Sequence, residues 1–341
     1  MKKVLFFAAA ALTMLAACNK TEVVYDNDPQ EIAFVSVSDV ATKTPVSGNV
    51  FSDNDNMAIA AYIVEGSQTA GTFFAYTLFS KEDGATYWTG EPARFWPLTA
   101  STINFLAVTK TGGGTDNTSI AFNQTNYASA ATVTLANNES SYSQNDLMFA
   151  AGQGKCAPNN YSPVDMVFKH ALSWINFQIC KVDESGYDLQ INSIKLNGAS
   201  FGGTLTLSNN QYNQTTAQAT QNVTANWAAN AAIAAVTVPN VAGDGAAPVL
   251  TLTTSYQLFG NGLLVVPGYA ESFTINYTLT QDGGIANTYD YTYTLPEGGK
   301  WEMAKKYFYN ISFDLTEIEV NPTVTIWDAS HSNVNTSVPL V

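Results

Sequence analysis

Charged side chains are scarce in this sequence, and basic ones are the scarcest. Charged residues make up 12% of the chain, about half of the usual share, and 14 Lys and Arg residues face 28 Asp and Glu residues. Arg94 is the only arginine. Because binding to nucleic acid depends on a basic surface that neutralises phosphates, this composition excludes nucleic acid as a partner. The solubility of the chain then depends on uncharged polar side chains.

Cysteine and histidine are almost as rare, which limits the chemistry that is open to the chain. The three cysteines are Cys18, Cys156 and Cys180, and the two histidines are His170 and His331. No Cys and His spacing typical of zinc sites occurs, and we predict neither a metal nor a cofactor. A disulfide between Cys156 and Cys180 and a pair of free thiols are both open alternatives.

Helix signals are nearly absent, and strand signals take their place. Alternating β-branched and aromatic residues, with turn residues at intervals of roughly 8 to 15, predict an all-β protein. Residues 307–315 show the clearest two-residue period, with one apolar and one polar face. We predict strands at residues 32–37, 57–64, 72–79, 102–109, 131–135, 173–180, 191–196, 204–207, 249–258, 272–279, 288–295 and 307–315.

The length of 341 residues favours two domains. A stretch rich in Gly, Pro and Asn at residues 152–163 is the best candidate for a boundary loop. We therefore expect an N-terminal β-sandwich domain at residues 31–160 and a C-terminal one at residues 161–341. Residues 208–232 are rich in Asn, Gln, Thr and Ala, and we interpret them as a long excursion with one short helix.

The first residues have the pattern of a lipoprotein signal peptide, residues 1–17. Met-Lys-Lys precedes an apolar run at residues 4–17, which is too short for a bilayer core about 30 Å thick. The sequence Leu-Ala-Ala-Cys matches the bacterial lipobox, so we predict cleavage between Ala17 and Cys18, acylation of Cys18 and a polar tether at residues 18–30. An ordinary secretory signal with a chance cysteine is the alternative.

Three segments of the chain have patterns that resemble a known family. They are Arg94-Phe95-Trp96-Pro97 with residues 103–107, Phe168-Lys169-His170-Ala171-Leu172 with residues 173–177, and Tyr307-Phe308-Tyr309-Asn310-Ile311 with residues 324–327. These segments resemble the fimbrillin-like pilus proteins of Bacteroidetes. The resemblance implies two transthyretin-like β-sandwich domains in tandem and export as an outer-membrane lipoprotein of the cell surface. It also implies an adhesive pilus subunit that is not an enzyme, with other pilus subunits, the outer membrane and a host or glycan receptor as partners.

The resemblance also implies a way of assembly. A stalk subunit of that family loses its first strand to a protease, often after Arg, and the exposed groove accepts a strand from the next subunit. In this chain Lys43 is the only basic residue between the tether and the core, which places the cut between Lys43 and Thr44. An uncut Lys43 would mean a tip or anchor subunit that keeps its first strand. Residues 328–341 are either a donated strand or a tether, and Pro339 would interrupt a ladder there.

Two motifs fit patterns of catalytic or metal-binding sites, but we interpret both of them as structural. Gly198-Ala199-Ser200-Phe201-Gly202 fits the nucleophile-elbow pattern, but it lies between predicted strands, where glycines form a turn or bulge. Asp53-Asn54-Asp55-Asn56 offers alternate carboxylates for calcium but lacks the rest of an EF-hand, so we interpret it as a solvated turn. His170, among apolar neighbours, is expected to be a packed, hydrogen-bonded structural residue and not a base or ligand.

Aromatic side chains support a competing function. Six tryptophans and 17 tyrosines could provide stacking surfaces for sugars on a glycan-binding surface lipoprotein. Most of these rings should lie in the core, because aromatic residues dominate burial in sandwiches. Trp88 and Trp227, which lie in polar stretches, are the two that we expect to be exposed and able to stack on a ligand.

Overall fold

The computed structural model describes residues 30–37, 56–66, 71–82, 85–99, 101–111, 120–123, 131–136, 144–156, 163–183, 186–208, 223–240, 249–281, 284–296, 299–314 and 317–327. These residues contain strands, turns and bends but no helix, so the all-β prediction is confirmed. The strands are β1 (Ala33–Val37), β2 (Met57–Gly66), β3 (Gly71–Ser80), β4 (Trp88–Glu91), β5 (Ser101–Thr111), β6 (Ile120–Asn123), β7 (Ala131–Leu135), β8 (Asp146–Cys156), β9 (Val164–Val167), β10 (Lys169–His170), β11 (Ser173–Lys181), β12 (Tyr187–Asn197), β13 (Gly203–Ser208), β14 (Thr224–Ala229), β15 (Val236–Thr237), β16 (Leu250–Thr251), β17 (Gln257–Leu258), β18 (Leu263–Val265), β19 (Ser272–Gln281), β20 (Asn287–Thr294), β21 (Lys305–Phe313) and β22 (Ile318–Ile326).

Eleven of the twelve predicted strands are present with small differences at their ends, and the strand predicted at residues 249–258 is wrong. Only its two ends are strands, and they belong to different sheets, because β16 pairs with β12 and β17 pairs with β11. Between them, the Thr253 side chain bonds locally to the backbone of Ser255. Such bonds compete with a ladder and turn the chain from one sheet to the other.

The boundary loop predicted at residues 152–163 is wrong in its first part, where β8 continues to Cys156. The glycines that indicate a loop are there for close packing. A side chain at Gly152 would collide with Met166, and one at Gly154 would collide with Trp96. Glycine in this strand therefore lets β9 and Trp96 approach the β8 backbone.

The excursion predicted at residues 208–232 is corrected in the same way. Its last described part is a strand, β14. Residues 209–222 lie outside the described residues, so the short helix stays a prediction. β14 pairs with β13 in an antiparallel register from Gly203↔Ala229 to Ser208↔Thr224. Ala225 and Trp227 face inward on alternate positions, although the surrounding Asn and Thr residues hide this period in the sequence.

The first half of the chain is built on an eight-stranded sheet with the order β10-β8-β5-β2-β3-β4-β1-β9. Its longest ladder joins β5 and β8 in an antiparallel register from Ser101↔Cys156 to Thr111↔Asp146. The inward side chains of these strands form one apolar cluster. Its buried members include Ile32, Phe34, Ile59, Phe79, Trp88, Trp96, Phe105 and Met166.

The second half is a sandwich of two five-stranded sheets. One contains β17 and β18 beside β11, then β21 and β22, and the other contains β15 and β16 beside β12, then β19 and β20. β11 and β21 run parallel, and the other pairs are antiparallel. Aromatic rings fill the space between the sheets, with Phe273 contacting Phe177, Tyr293 and Tyr309 at centroid distances of 5.0 to 5.2 Å.

A fourth sheet, which we call the shared sheet, joins the two halves. Its order is β14-β13-β7-β6, so β7 of the first half hydrogen-bonds to β13 of the second. A separate apolar cluster packs around it, with buried members from both halves such as Leu106, Val133, Leu205 and Leu264. Two strands after residue 161, β9 and β10, pair within the first sheet. The domain boundary between residues 160 and 161 stays a prediction.

The side chain of Gln144 adds a polar link between the halves. Its Nε2 donates to the Leu264 carbonyl at 2.7 Å, and its Oε1 accepts from the Leu264 backbone N–H at 2.6 Å. Gln144 is buried, and its side-chain amide pairs with the Leu264 backbone in the way that a residue of a neighbouring strand would.

Candidate assembly groove

The first strand is held in a gap between two other strands. β1 pairs antiparallel with β4 at Ala33↔Thr89 and Phe34↔Trp88, and parallel with β9 from Phe34↔Val164 to Val37↔Val167. The residues before it are fixed by backbone bonds: the Ile32 N–H donates to Arg94 O, and the Trp96 N–H donates to Gln30 O. We call the space filled by residues 30–37 the β1 slot.

Two side chains anchor β1 in the β1 slot. Ile32 and Phe34 are 0% exposed, whereas Ala33 and Val35 on the opposite face are half-buried. The Phe34 ring lies edge-on to Phe79 and Phe105 at centroid distances of 4.9 and 5.0 Å. Strand alternation therefore places Ile32 and Phe34 in the first apolar cluster.

The walls of the β1 slot are apolar and aromatic, and one cation braces them. Besides Phe79 and Phe105, the cluster around Phe34 contains Trp88, Trp96, Val164 and Met166. Arg94 lies over the Phe74 ring at 5.2 Å, and its Nε donates to Thr77 Oγ1 at 3.0 Å. These two contacts hold Arg94, the only arginine in the sequence, in place. The backbone carbonyl of Arg94 accepts the hydrogen bond from the Ile32 N–H.

The β1 slot is connected to the point where the C-terminal tail begins. Its wall strand β9 is followed, after Phe168 alone, by β10, which contains His170. The His170 ring stacks on Trp327 at a centroid distance of 3.7 Å and an interplanar angle of 11°. Trp327 is the last residue that the structure describes, and it is 3% exposed. The prediction that His170 is packed is confirmed, but the hydrogen bonding predicted with it is not found among the described residues.

Two charged side chains, Asp146 and Lys306, lie beside this stack. We define the junction cluster as Asp146, His170, Trp174, Lys306 and Trp327. His170 Nδ1 lies 2.7 Å from Asp146 Oδ2, and both side chains are 0% exposed. Neither ring nitrogen forms an aligned hydrogen bond with the described residues. Lys306 Nζ lies over the rings of Trp174 and Trp327 at 4.5 and 5.8 Å. Burial lowers the pKa of Lys306, and the negative charge of Asp146 partly opposes this shift.

Several of the predicted site residues lie outside the described residues. These are Ala17 and Cys18 at the predicted signal cleavage and lipidation site, Lys43 and Thr44 at the predicted cut, the acidic stretch at residues 53–55, His331, and the tail at residues 328–341. Their roles stay predictions. β1 ends at Val37, six residues before Lys43, so the predicted cut would fall after the strand in the β1 slot.

The expectation that Trp88 is exposed is wrong. Its side chain is 1% exposed, in the cluster that surrounds Phe34, while the neighbouring Tyr87 is 45% exposed. The polar residues on either side of Trp88 occupy the outward positions of β4 and hide its inward direction. Trp227 is half-buried, and its Nε1 donates to Ala171 O at 2.7 Å. Ligand stacking on Trp227 stays a prediction.

Ser200 is placed as a connecting residue, as predicted. It lies between β12 and β13, and its Oγ donates to the carbonyls of Gly202 and Asn230 at 3.0 and 3.1 Å. Cys180 is a free thiol that is 6% exposed, 3.8 Å from Ser312 Oγ. Within the described part of the chain, no group of three or more His, Cys, Asp and Glu side chains is arranged to hold a metal ion.

Sequence reasoning found β1 but missed its two anchors. The signal was present, because Ile32 and Phe34 have the two-residue spacing of side chains on one face of a strand. The stacking of His170 on Trp327 was also missed, although the two residues lie in two of the segments that carry the resemblance. Pairing between residues so far apart has no local signal.

The described residues also contain no helix long and apolar enough to cross a membrane.

One solved structure supports this fold. A fimbrial protein from Bacteroides vulgatus is similar in structure, with a TM-score of 0.52, 17% identity and coverage of 87% of this chain and 99% of that one. Less similar are a fimbrial assembly protein from Parabacteroides distasonis (TM-score 0.40, 11% identity, coverage 88% and 99%) and the fimbrial anchor protein Mfa2 from Porphyromonas gingivalis (0.37, 10%, 89% and 99%). No curated protein matches the sequence. The sequence model of the fimbrillin-like family matches residues 42–327, most of the chain, and the protein therefore belongs to the fimbrillin-like family.

Proposed function

We propose that this protein is a structural subunit of a cell-surface pilus and that it assembles by strand exchange at the β1 slot. The observation that carries the proposal is β1 itself, a short strand inserted between two others with Ile32 and Phe34 fully buried. A cut after Lys43 would leave this strand held by non-covalent contacts alone. The family match begins at residue 42, so β1 lies outside the matched range.

The physical basis of exchange is the replacement of one strand by another in the same β1 slot. A departing β1 would expose the rings around Phe34 and the unpaired edges of β4 and β9, and both are unfavourable in water. An incoming strand regains backbone hydrogen bonds along both edges, and alternate apolar side chains fill the positions of Ile32 and Phe34. The slot thus favours an occupant at all times.

The proposed donor is the tail of the neighbouring copy, residues 328–341. Val334, Val338 and Leu340 share one face in an extended chain, which matches the spacing of the two anchors of β1. Pro339 falls on the other face, and its missing N–H removes one ladder hydrogen bond.

The cellular setting is part of the same proposal. Cys18 would anchor a newly exported copy in the outer membrane, and cleavage after Lys43 would release it into a growing filament. A copy that is not cut would stay as an anchor or tip subunit. Adhesion to a host or glycan receptor then falls to a surface of the assembled filament, where Trp227 is a candidate contact.

The test uses the exported chain from residue 19 under limited digestion with trypsin. We expect mass spectrometry to find a new N-terminus at Thr44 and denaturing gels of unheated samples to show polymer ladders. A synthetic peptide with the sequence of residues 30–42 should suppress the ladders, whereas the same peptide with Phe34→Asp should not. The matched controls are Lys43→Ala, which should prevent both events, and Lys20→Ala, which should prevent neither.

Two results would contradict the proposal. Ladders that form equally well with Lys43→Ala would show that assembly does not depend on release of β1. A protein that is cut at Thr44 and loses β1 but stays monomeric would exclude the β1 slot as the point of assembly.

A further inference from the structure

The sandwich of the second half has an open edge that lies far from the β1 slot in sequence. β20 is the outer strand of its sheet, and among the described residues it pairs with β19 alone. Residues 287–290 are exposed on both faces, and Tyr289 is 46% exposed. Alternate residues of this eight-residue strand therefore present unpaired N–H and C=O groups to the outside.

The sequence of β20 does little to protect this edge. Proteins protect open edges with charged side chains, above all lysine, and with proline, bulges or inward charges, because a bare edge invites another strand. β20 contains no lysine, proline or bulge, its only charged residue is Asp290, and its register with β19 is unbroken from Ser272↔Thr294 to Leu279↔Asn287. The long edge strand of the other sheet, β22, carries both Pro322 and Glu319.

The face of β20 that points to the core is also incompletely covered. Tyr291 and Tyr293 are half-buried against the sandwich core, and Tyr289 contacts Tyr277 at a centroid distance of 5.6 Å. Burial raises the pKa of Tyr291, so this ring is neutral at physiological pH. A strand docked beside β20 would cover these rings with apolar contact.

The low charge of β20 allows a second copy of this protein to be the occupant. The chain has a net charge of −14, so most of its surface repels another copy. β20 carries one charge, Asp290, whose Oδ1 accepts from Asn276 Nδ2 at 2.7 Å. Two copies can therefore approach along this strand with little repulsion.

Only two registers pair nearly all of β20 with a second β20, namely those with the two-fold axis at one of its two central residues, Asp290 or Tyr291. In an antiparallel pair of identical strands the two-fold axis passes through a residue, because opposite residues have matching backbone orientations. An axis at Asp290 places two carboxylates opposite each other, which is unfavourable. An axis at Tyr291 places Asp290 opposite the partner's Thr292 and pairs tyrosines with tyrosines along the whole strand.

We propose that β20 docks against β20 of a second copy in an antiparallel pair with its two-fold axis at Tyr291. The two sandwiches then share one continuous sheet across the contact. This contact is separate from strand exchange at the β1 slot, and it would join subunits side by side.

The test exploits the position of Thr292 opposite Asp290 in this register. Sedimentation of the exported chain carrying Lys43→Ala, which blocks the proposed strand exchange, should reveal a dimer between roughly 1 µM and 1 mM protein. Thr292→Asp creates two like-charge pairs and should raise the dissociation constant roughly tenfold. Thr292→Lys creates two opposite-charge pairs and should lower it by a similar factor.

Asn321, which is exposed on β22, provides the matched controls. Asn321→Asp and Asn321→Lys change the net charge by the same amounts and should shift the dissociation constant by less than about twofold. Urea unfolding confirms that each variant is folded. A strictly monomeric protein over this range, or Asn321 variants that shift the equilibrium as much as the Thr292 variants, would overturn the proposal.

Discussion

β1 and β7 are both placed by pairing with strands far away in the sequence, but their surroundings differ. β1 pairs with β9 and is anchored by two fully buried side chains. β7 pairs with β13 along its full length, from Gly203↔Leu135 to Leu207↔Ala131. A cluster with members from both halves covers β7 and β13, and the Gln144 link lies close by in the chain.

The difference teaches that hydrogen bonding alone does not decide whether a strand can be exchanged. Both strands are held by ladders of hydrogen bonds between backbone N–H and C=O groups. β7 is continuous with the protein on both sides and its partner belongs to the other half, so its release would break the junction. β1 is the first strand that the structure describes, and a cut after Lys43 would separate it from the other strands. The predictions below test this contrast.

The largest effect is expected from Phe34→Ala in the β1 slot. Truncating a fully buried phenylalanine leaves a cavity between Phe79 and Phe105, and we expect a loss of about 4 kcal/mol in the free energy of unfolding. Urea denaturation of the uncut chain measures this loss. Val35→Ala, on the half-buried face of the same strand, should cost about 1 kcal/mol or less. Equal losses for the two variants would mean that β1 is not anchored by alternation.

Leu205→Ala should weaken the shared sheet by about 3 kcal/mol. Leu205 is 0% exposed and opposite both Val133 and Trp227, so its truncation leaves a cavity between the halves. Thr206→Ala, on the alternate face of β13, is the control. Calorimetry should show one unfolding transition in the parent and in both variants. Two separate transitions in the parent would mean that the shared sheet does not couple the halves.

Gln144→Ala should destabilise the chain by about 2 kcal/mol, because it leaves the buried N–H and C=O of Leu264 without this partner. The expected loss is intermediate because no large cavity forms. Gln190→Ala, a half-buried side chain on β12, should stay within about 0.5 kcal/mol of the parent in the same urea titration. A neutral Gln144→Ala would remove the polar link from the contrast between β1 and β7.

The smallest effect is expected from Tyr309→Phe in the second-half core. Trp301 Nε1 donates to the Tyr309 hydroxyl at 3.0 Å, and losing this bond should cost about 1 kcal/mol at neutral pH. Burial raises the pKa of Tyr309 above its ordinary value and that of Tyr307 to about 12. The folded state therefore favours the neutral phenols, and stability should hold below about pH 10 and fall as the pH rises toward 12.

Urea midpoints between pH 8 and pH 11.5 measure this alkaline loss. Tyr309→Phe should make the loss shallower, because one of the buried ionisable groups is gone. Thr206→Ala, which removes no ionisable group, should leave the slope unchanged. An unchanged slope in Tyr309→Phe would mean that Tyr309 does not contribute to the pH dependence.

The parts of this fold that are readable from sequence are those with a local period. Tyr307, Tyr309 and Ile311 alternate with polar residues, and β21 was predicted within two residues of its true start. The all-β class follows from many such stretches. The same reasoning failed where a residue type has two uses. Gly152 and Gly154 indicate a loop in sequence, but they serve close packing within a strand.

Pairing between distant strands has no comparable signal. The β1 slot depends on a parallel ladder between β1 and β9, and the shared sheet depends on β7 meeting β13. Trp88 was predicted to be exposed because Thr86, Tyr87 and Thr89 are polar or amphipathic neighbours. Its burial follows from the position of Phe34 opposite it, which becomes known only when β1 is placed.

Under the proposed strand exchange, the mixed neighbours of β1 would affect the polarity of the filament. β1 runs antiparallel to β4 and parallel to β9. A foreign strand that entered in the reverse direction would exchange these two relations and still meet one ladder of each kind. Backbone bonding would then be nearly indifferent to direction, since the two ladder types differ only slightly in stability. The side-chain positions that Ile32 and Phe34 occupy would decide whether successive subunits point the same way.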